Sequence, residues 1–253
     1  MTYLQLINNV LTRLREDPIT ADQVDNDFSS NAYWRSIGAH VNDAKDRVED
    51  AWQWGALRGT DLVDVVEDQV FFACPNSDDN AYILKRILVQ ENGNFLKWIT
   101  IPDVRMKYAG INAGNGTPKG VPYQFATSGE VQESDLASNG GTFQDSQLGD
   151  QKYVLFPTSN GAYTLQIDRV SHQAPLVDAS DRLLVPSLPV YTLATALASR
   201  ERGEVGGTPT SELFAIADRH LSDAIAQDSA RYADELDWFA ASDGWVNTNL
   251  RNR

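Results

Sequence analysis

WRSIGAHVNDAKDRVEDAWQWG, residues 34–55, repeats its apolar side chains every third and fourth position at Trp34, Ile37, Val41, Ala44, Val48 and Ala51. That is the period of a helix with one buried face, here sustained for about five turns. Asp43, Lys45, Asp46, Glu49 and Asp50 are read onto the opposite, solvated face. Asp27 or Ser29 can cap its start, and Gly55, after the Trp52-Gln53-Trp54 cluster, can close its end in the left-handed conformation. A helix with one apolar stripe must bury it against something else, so the fold turns on where its partners lie.

Upstream, Leu4, Ile7, Leu11 and Leu14 form a shorter stripe that stops near Asp17-Pro18. Downstream the period changes. Leu62–Val66, Val70–Ala73, Tyr82–Gln90 and Phe95–Ile101 read as strands, and a short helix is expected from Pro102 to Tyr108. The clearest pairing expectation is a hairpin joining Tyr153–Phe156 to Tyr163–Asp168, with Asn160-Gly161 supplying a positive-φ turn. Residues 110–120 and 128–150, rich in Gly, Ser, Asn and Asp, read as loops. Helical period returns at Ser187, read as the cap of a helix running to Glu204, with Val190, Leu193, Ala194 and Leu197 inward. Val205-Gly206-Gly207 breaks it. Thr208 and Pro209 then open a longer helix with Phe214, Ala217, Leu221, Ile225, Tyr232, Leu236 and Phe239 on one stripe, interrupted by Asp228. The expected fold class is therefore α+β: a helix bundle formed by the N- and C-terminal helices (1–54 and 186–241) with an inserted antiparallel β domain (55–185), followed by an extended tail (242–253).

Charge narrows the function. Lys and Arg number 21 against 35 Asp and Glu, a formal net charge of −14 spread along the chain rather than gathered in a tail. Such a surface lacks the clustered cations that hold phosphate backbones or anionic lipid. Cys74 is the only cysteine, so an intrachain disulfide and a multi-cysteine metal site are excluded. No signal peptide is expected at the first residues, and no window approaches the roughly 18 unbroken apolar residues of a membrane span.

The search for catalytic motifs leaves no site. Gly110, Gly114 and Gly116 have the wrong spacing for a phosphate loop. His40, His172 and His220 are far apart in sequence and form no metal-ligand pair; His40 and His220 read as partly buried, hydrogen-bonded helix residues. Ser171-His172 lacks a nucleophile elbow. Asp25-Asn26-Asp27 and Asp78-Asp79 lack the Gly and distal Glu of a calcium loop and read as turn or capping residues. Asp43/Asp46, Glu49/Asp50 and Asp234/Glu235/Asp237 are carboxylate pairs of the kind that glycoside hydrolysis uses when they face a cleft, but they read onto solvated helix faces. The expectation is no catalytic residue, no cofactor and no metal. The terminal SDGWVNTNLRNR, residues 242–253, carries one acid and two arginines. It reads either as a free polar end or as a segment that docks on another chain, since Trp and Arg are enriched in binding hot spots.

Several ordered motifs resemble the head-to-tail adaptor proteins of tailed bacteriophages, the tail tubular protein A and tail accessory factor type. Thr2-Tyr3-Leu4-Gln5-Leu6-Ile7-Asn8-Asn9-Val10-Leu11 is similar to their first helix, and Val41-Asn42-Asp43-Ala44 through Ala51-Trp52-Gln53-Trp54 to their second. Gly116-Thr117-Pro118, Tyr123-Gln124-Phe125, Tyr153–Pro157 and Ala162–Leu165 are similar to their central β signature, and the helices after Pro186 to their C-terminal half. Residues 128–150 make a longer loop than the family implies.

The resemblance implies a structural virion protein made in the host cytoplasm. Its copies, usually twelve, would form a homo-oligomeric ring beneath the portal protein, extend the DNA channel without sequence-specific binding, and dock the tail nozzle protein. It also implies that the tail reaches the portal ring through Trp245, Val246, Leu250, Arg251 and Arg253. Two other readings remain open at this point, a cell-wall glycoside hydrolase using paired carboxylates and an unrelated soluble α+β protein.

Overall fold

The computed structural model describes residues 1–28, 30–75, 82–112, 118–133, 135, 143, 147–203 and 210–231. The chain is α+β, and it divides into two compact units, the described parts of Met1–Leu57 with Gln173–Arg253, and Arg58–His172.

In the first unit, α1 (Tyr3–Arg13) begins with a reciprocal cap: the Gln5 N–H donates to the Thr2 hydroxyl, and the Thr2 N–H donates to the Gln5 side-chain oxygen. Its buried face is broader than the expected stripe and takes in Tyr3, Leu6 and Val10 beside Ile7 and Leu11. A π-turn at Gln23–Asp27 precedes α2 (Ala32–Ala51). Asn31, rather than Asp27, is the cap of α2, accepting from the N–H groups of Tyr33 and Trp34, while Ser29 lies outside the described residues. Gly55 does not close α2. Trp52 ends it in extended backbone, and Gly55 opens a 3-10 turn, Gly55–Leu57.

The helix α4 (Ser187–Arg202) packs against α1, α2 and α5 (Thr210–Arg231); α3 (Ile101–Asn112) belongs to the other unit. Small buried residues on several sides of α4, Thr192, Ala194, Thr195, Ala196, Ala198 and Ser199, give its neighbours close access. The hydroxyls of Thr192 and Thr195 donate to the Leu188 and Tyr191 carbonyls one turn back, so their burial leaves no orphan donor. Proline 186 precedes α4 in place of the expected Ser187 cap, and Gly203, at φ 64°, stops it before Glu204. The expected break and cap at 205–209 and the stripe from Tyr232 onward lie outside the described residues. Asp228 interrupts the α5 stripe for a reason: its Oδ2 accepts from Trp52 Nε1 at 3.0 Å and from the Gly55 N–H at 3.1 Å, tying α5 to the end of α2.

Residues 173–185, expected to belong with the strands, fold onto α1 and α2 as a strap. Tyr3 and Leu4 donate to the carbonyls of Asp181 and Ala179, and Leu183 donates to Met1. Asn42 pairs with both backbone groups of Leu176 at 2.9 and 3.1 Å. Lys45 and Glu49, expected on the solvated face of α2, are buried beneath the strap and hold the carbonyl and N–H of Gln173. A strap without regular structure has backbone groups to satisfy, and these polar side chains satisfy them.

Gly38 sits where α2 meets Tyr3 and Phe28, and a Cβ there would lie 2.6 Å from the Phe28 ring. Gly38→Ala is expected to cost about 1–3 kcal/mol through overpacking, measured by urea unfolding. An unchanged midpoint would show that Phe28 swings aside freely.

Among the described residues the second unit is built from ten strands and one helix. β1 (Arg58–Val65), β10 (Tyr163–Ser171), β3 (Tyr82–Val89) and β4 (Asn94–Phe95) form one antiparallel sheet in that order. β2 (Phe71–Ala73), β8 (Gln151–Phe156), β7 (Gln124–Glu130) and β5 (Lys97–Trp98) form the other, with β5 parallel to β7. Leu96 lies in the core between β4 and β5, so the expected single strand Phe95–Ile101 is divided between the two sheets. Val65, Phe72, Ile87, Phe125, Leu155 and Ile167 meet in the core the sheets share. The helix α3 (Ile101–Asn112) covers the second sheet's other face through Val104, against Ala126 and Val154.

The expected hairpin does not form. Tyr153–Phe156 and Tyr163–Asp168 lie in different sheets, and Gly161 is not in the left-handed region. The connection between them is too long for a tight turn, and its Thr158–Ser159 (β9) pairs in parallel with Lys119–Gly120 (β6), which carries the chain from one sheet to the other. The expected loop at 128–150 starts later, because β7 runs to Glu130, and the helix α3 reaches into the loop expected at 110–120. Within those stretches 113–117, 134, 136–142 and 144–146 lie outside the described residues.

Candidate functional site

A cleft of about 360 Å³ opens between α2 and α4, lined by Tyr33, Ser36, Ile37, His40, Ala198, Glu201 and Arg202. Ser36 and His40 stand four residues apart on α2, hence on one face. Asn31 fixes the start of that helix, and α4 brings Glu201 opposite them. The Ser36 hydroxyl donates to Glu201 Oε2 at 2.9 Å and lies 3.5 Å from His40 Nε2. His40 Nε2 meets the same carboxylate oxygen. Beside them Arg202 pairs with Glu16 and stacks over the Tyr33 ring at 5.1 Å.

These three side chains resemble a nucleophile, base and acid only in composition. In a working relay the imidazole stands between hydroxyl and carboxylate, using one ring nitrogen for each. Here the hydroxyl and the same imidazole nitrogen both converge on Glu201 Oε2, so the serine proton is directed at the carboxylate and not at a base. The cluster is a polar tie between two helices. Its position could not be read from the sequence, because Glu201 lies 161 residues from His40.

Hydrogen bonds from Ser36, and then from His40, hold the Glu201 carboxyl below its ordinary pKa of 4.5. A depressed carboxylate stabilises the fold above its unfolded pKa, and that contribution is lost as pH falls through the lower folded value. Glu201→Gln is therefore expected to flatten the fall in melting temperature below pH 4.5. An identical acid limb in both proteins would show that the tie contributes nothing.

The other sequence candidates are scattered. His172 follows the last residue of β10, and His220, on α5, has a buried Nδ1 without a hydrogen-bond partner among the described residues. Asp25 accepts from the Ala179 N–H at 2.8 Å, a strap contact, and Asp78-Asp79 lie outside the described residues. Asp43, Asp46 and Asp50 are exposed on α2, whereas Glu49 is buried; Asp234, Glu235 and Asp237 lie outside the described residues. The tail residues Trp245, Val246, Leu250, Arg251 and Arg253 also lie outside them.

Among the tryptophans, Trp54 is fully buried and donates to the Val48 carbonyl at 2.6 Å, while Trp98 is exposed. Among the described residues no three His, Cys, Asp or Glu side chains gather as a metal site, and no helix is long and apolar enough to cross a membrane. The sequence matches no protein-family model and no curated protein.

Proposed function

We propose that this chain is a structural virion protein, a head-to-tail adaptor whose copies form a ring beneath the portal protein, extend the DNA channel and dock the tail nozzle protein. The observation that carries the reading is the way the chain closes on itself. α1 and α2 from one end of the sequence share a compact unit with α4 and α5 from the other, and Arg58–His172 forms a unit of its own between them. That supports the implied architecture, a bundle of N- and C-terminal helices with an antiparallel β domain inserted. The net charge of −14 fits a channel wall that gives a passing duplex no adhesive phosphate contacts. In this reading the chain turns over no substrate and works in the virion.

Mass photometry of the purified chain, alone and with portal rings, tests it. Like-charge repulsion keeps the free chain mainly monomeric at low salt, and the portal supplies the multivalent template on which a ring assembles. Bare portal rings after incubation would overturn the reading; a closed ring from pure protein at low salt would remove the template. Deleting residues 242–253 is expected to abolish decoration while leaving the melting temperature unchanged. Trp245→Ala alone should reproduce most of that loss, and Arg251→Ala with Arg253→Ala a salt-sensitive part. Normal decoration by the truncated chain would make the tail a solvated end.

A further inference from the structure

The two edges of the β unit differ in a way that fits one to the other. β1 is an eight-residue strand at the edge of its sheet, and among the described residues no backbone group pairs with its outer side. Leu62 on β1 and Val66 just beyond it are each 60% exposed. An open edge of that length flanked by bare aliphatic side chains is a place where another chain can dock. Acids accompany it: Asp64 on the strand, then Glu67 and Asp68 in the following turn, with Asp68 paired to Lys119.

The opposite side of the same unit is the bent segment β4–β5. Phe95 there is 47% exposed and Trp98 57% exposed, two large aromatic side chains within four residues. Its charges have the other sign. Arg86 stacks on Phe95 at 5.1 Å while pairing with Asp168, Lys97 is exposed, and Lys107 reaches Gln124, the β7 residue in register with Lys97. Exposed Trp and Phe rimmed by cations is the composition of an interface hot spot. In so acidic a chain, a cationic aromatic edge opposite an acidic aliphatic one is complementary to a second copy of itself.

We propose that the β4–β5 edge of one copy, through Phe95 and Trp98, packs against the β1 edge of the next, at Leu62 and Val66. Because the two patches lie on opposite edges, the contact is heterologous: an open series of copies keeps one free edge of each kind at its two ends, and both are used only when it closes into a ring. The contact itself rests on these two edges, and only its place in a portal-bound ring rests on the adaptor reading.

Cross-linking between copies tests it in the full-length chain. The native Cys74 is fully buried, so engineered thiols at exposed positions are the ones that react. Leu62→Cys protein is mixed with Trp98→Cys protein at high concentration and moderate salt, with a short bis-maleimide. The expected result is a covalent dimer from the mixture and none from either variant alone, and a ladder of multimers from a chain carrying both cysteines. No mixed adduct, or adducts equally abundant in each variant alone, would overturn the proposal.

Adding Glu67→Lys to the first protein, or Lys97→Glu to the second, should each reduce the adduct. Adding both should restore it; failure to restore would remove the charge complementarity. Loss of the cross-link with normal portal decoration sinks this contact and leaves the adaptor reading standing. An intact ladder with bare portals does the reverse.

Discussion

Glu49→Ala is expected to destabilise the chain by about 1–3 kcal/mol, the cost of leaving a buried N–H of the strap without its acceptor. Glu49 and Lys45 are 2% and 1% exposed. Lys45 Nζ lies 2.5 Å from the Gln173 carbonyl, 2.9 Å from Asp46 and 3.5 Å from Glu49, and Glu49 Oε2 accepts from the Gln173 N–H at 3.1 Å. Removing the carboxylate takes one of two counter-charges from a buried ammonium, which keeps Asp46 at 2.9 Å. It also orphans one N–H of the strap. In many proteins a buried ion pair can be replaced by two apolar residues with little loss. Here Lys45→Met with Glu49→Leu is expected to remain destabilised, because both backbone groups of Gln173 lose their partners at about 1–3 kcal/mol each. Urea unfolding followed by circular dichroism measures both variants. A double variant as stable as the natural chain would mean that the strap does not depend on this pair.

Raising the pH should unfold the β unit, starting from its core. Burial pushes the Cys74 thiol from its ordinary 9.0 to about 12, outweighing the hydrogen bond it shares with Tyr82. Burial also raises Tyr82 and Tyr153 well above the ordinary phenol range. These groups are neutral when protonated, so the native state holds protons that an unfolded chain releases once pH passes the ordinary values. The thiol's contribution is complete below pH 9 and is lost as pH rises from 9 to about 12, while that of the two phenols starts to fall only above their ordinary value of 10. For Cys74 alone, three units at about 1.4 kcal/mol each come to on the order of 4 kcal/mol at pH 12. Cys74→Ala will shift stability at every pH through the cavity it leaves. The test is therefore the slope, which should flatten between pH 9 and 12. Parallel curves for the two proteins would show that the thiol ionises as freely folded as unfolded.

The helices were legible because a helix repeats its buried face within a few residues, and α2 could be read from Trp34 to Ala51 without knowing its partners. What filled the gaps on its polar face could not be read. Lys45 and Glu49 have the hydropathy of solvated residues, and the groups that make their burial tolerable lie 128 and 124 residues away. The strands were legible singly and not in pairs. Tyr163, Leu165 and Ile167 alternate in the same way whether they face Tyr153–Phe156 in a hairpin or share a core with it from another sheet. Of the cleft only His40 was legible, as a partly buried, hydrogen-bonded helix residue; Ser36 carried no signal of its own, and the acid that joins them lies 161 residues from His40. Asp228 looked like an interruption of a stripe because a hydrogen bond to Trp52 leaves no trace in periodicity.

The helical unit is built from segments made before and after the β unit, and this sets a timetable. α1 and α2 emerge from the ribosome before the β unit, yet α4, which packs on them, is complete only at Arg202. At about 5–20 residues per second, their apolar faces wait on the order of ten seconds for that helix. Arg58–His172 leaves the ribosome whole within that interval, with every strand of its two sheets already present. The β unit is thus positioned to fold first, and the nascent helices before it are where a chaperone has surface to hold.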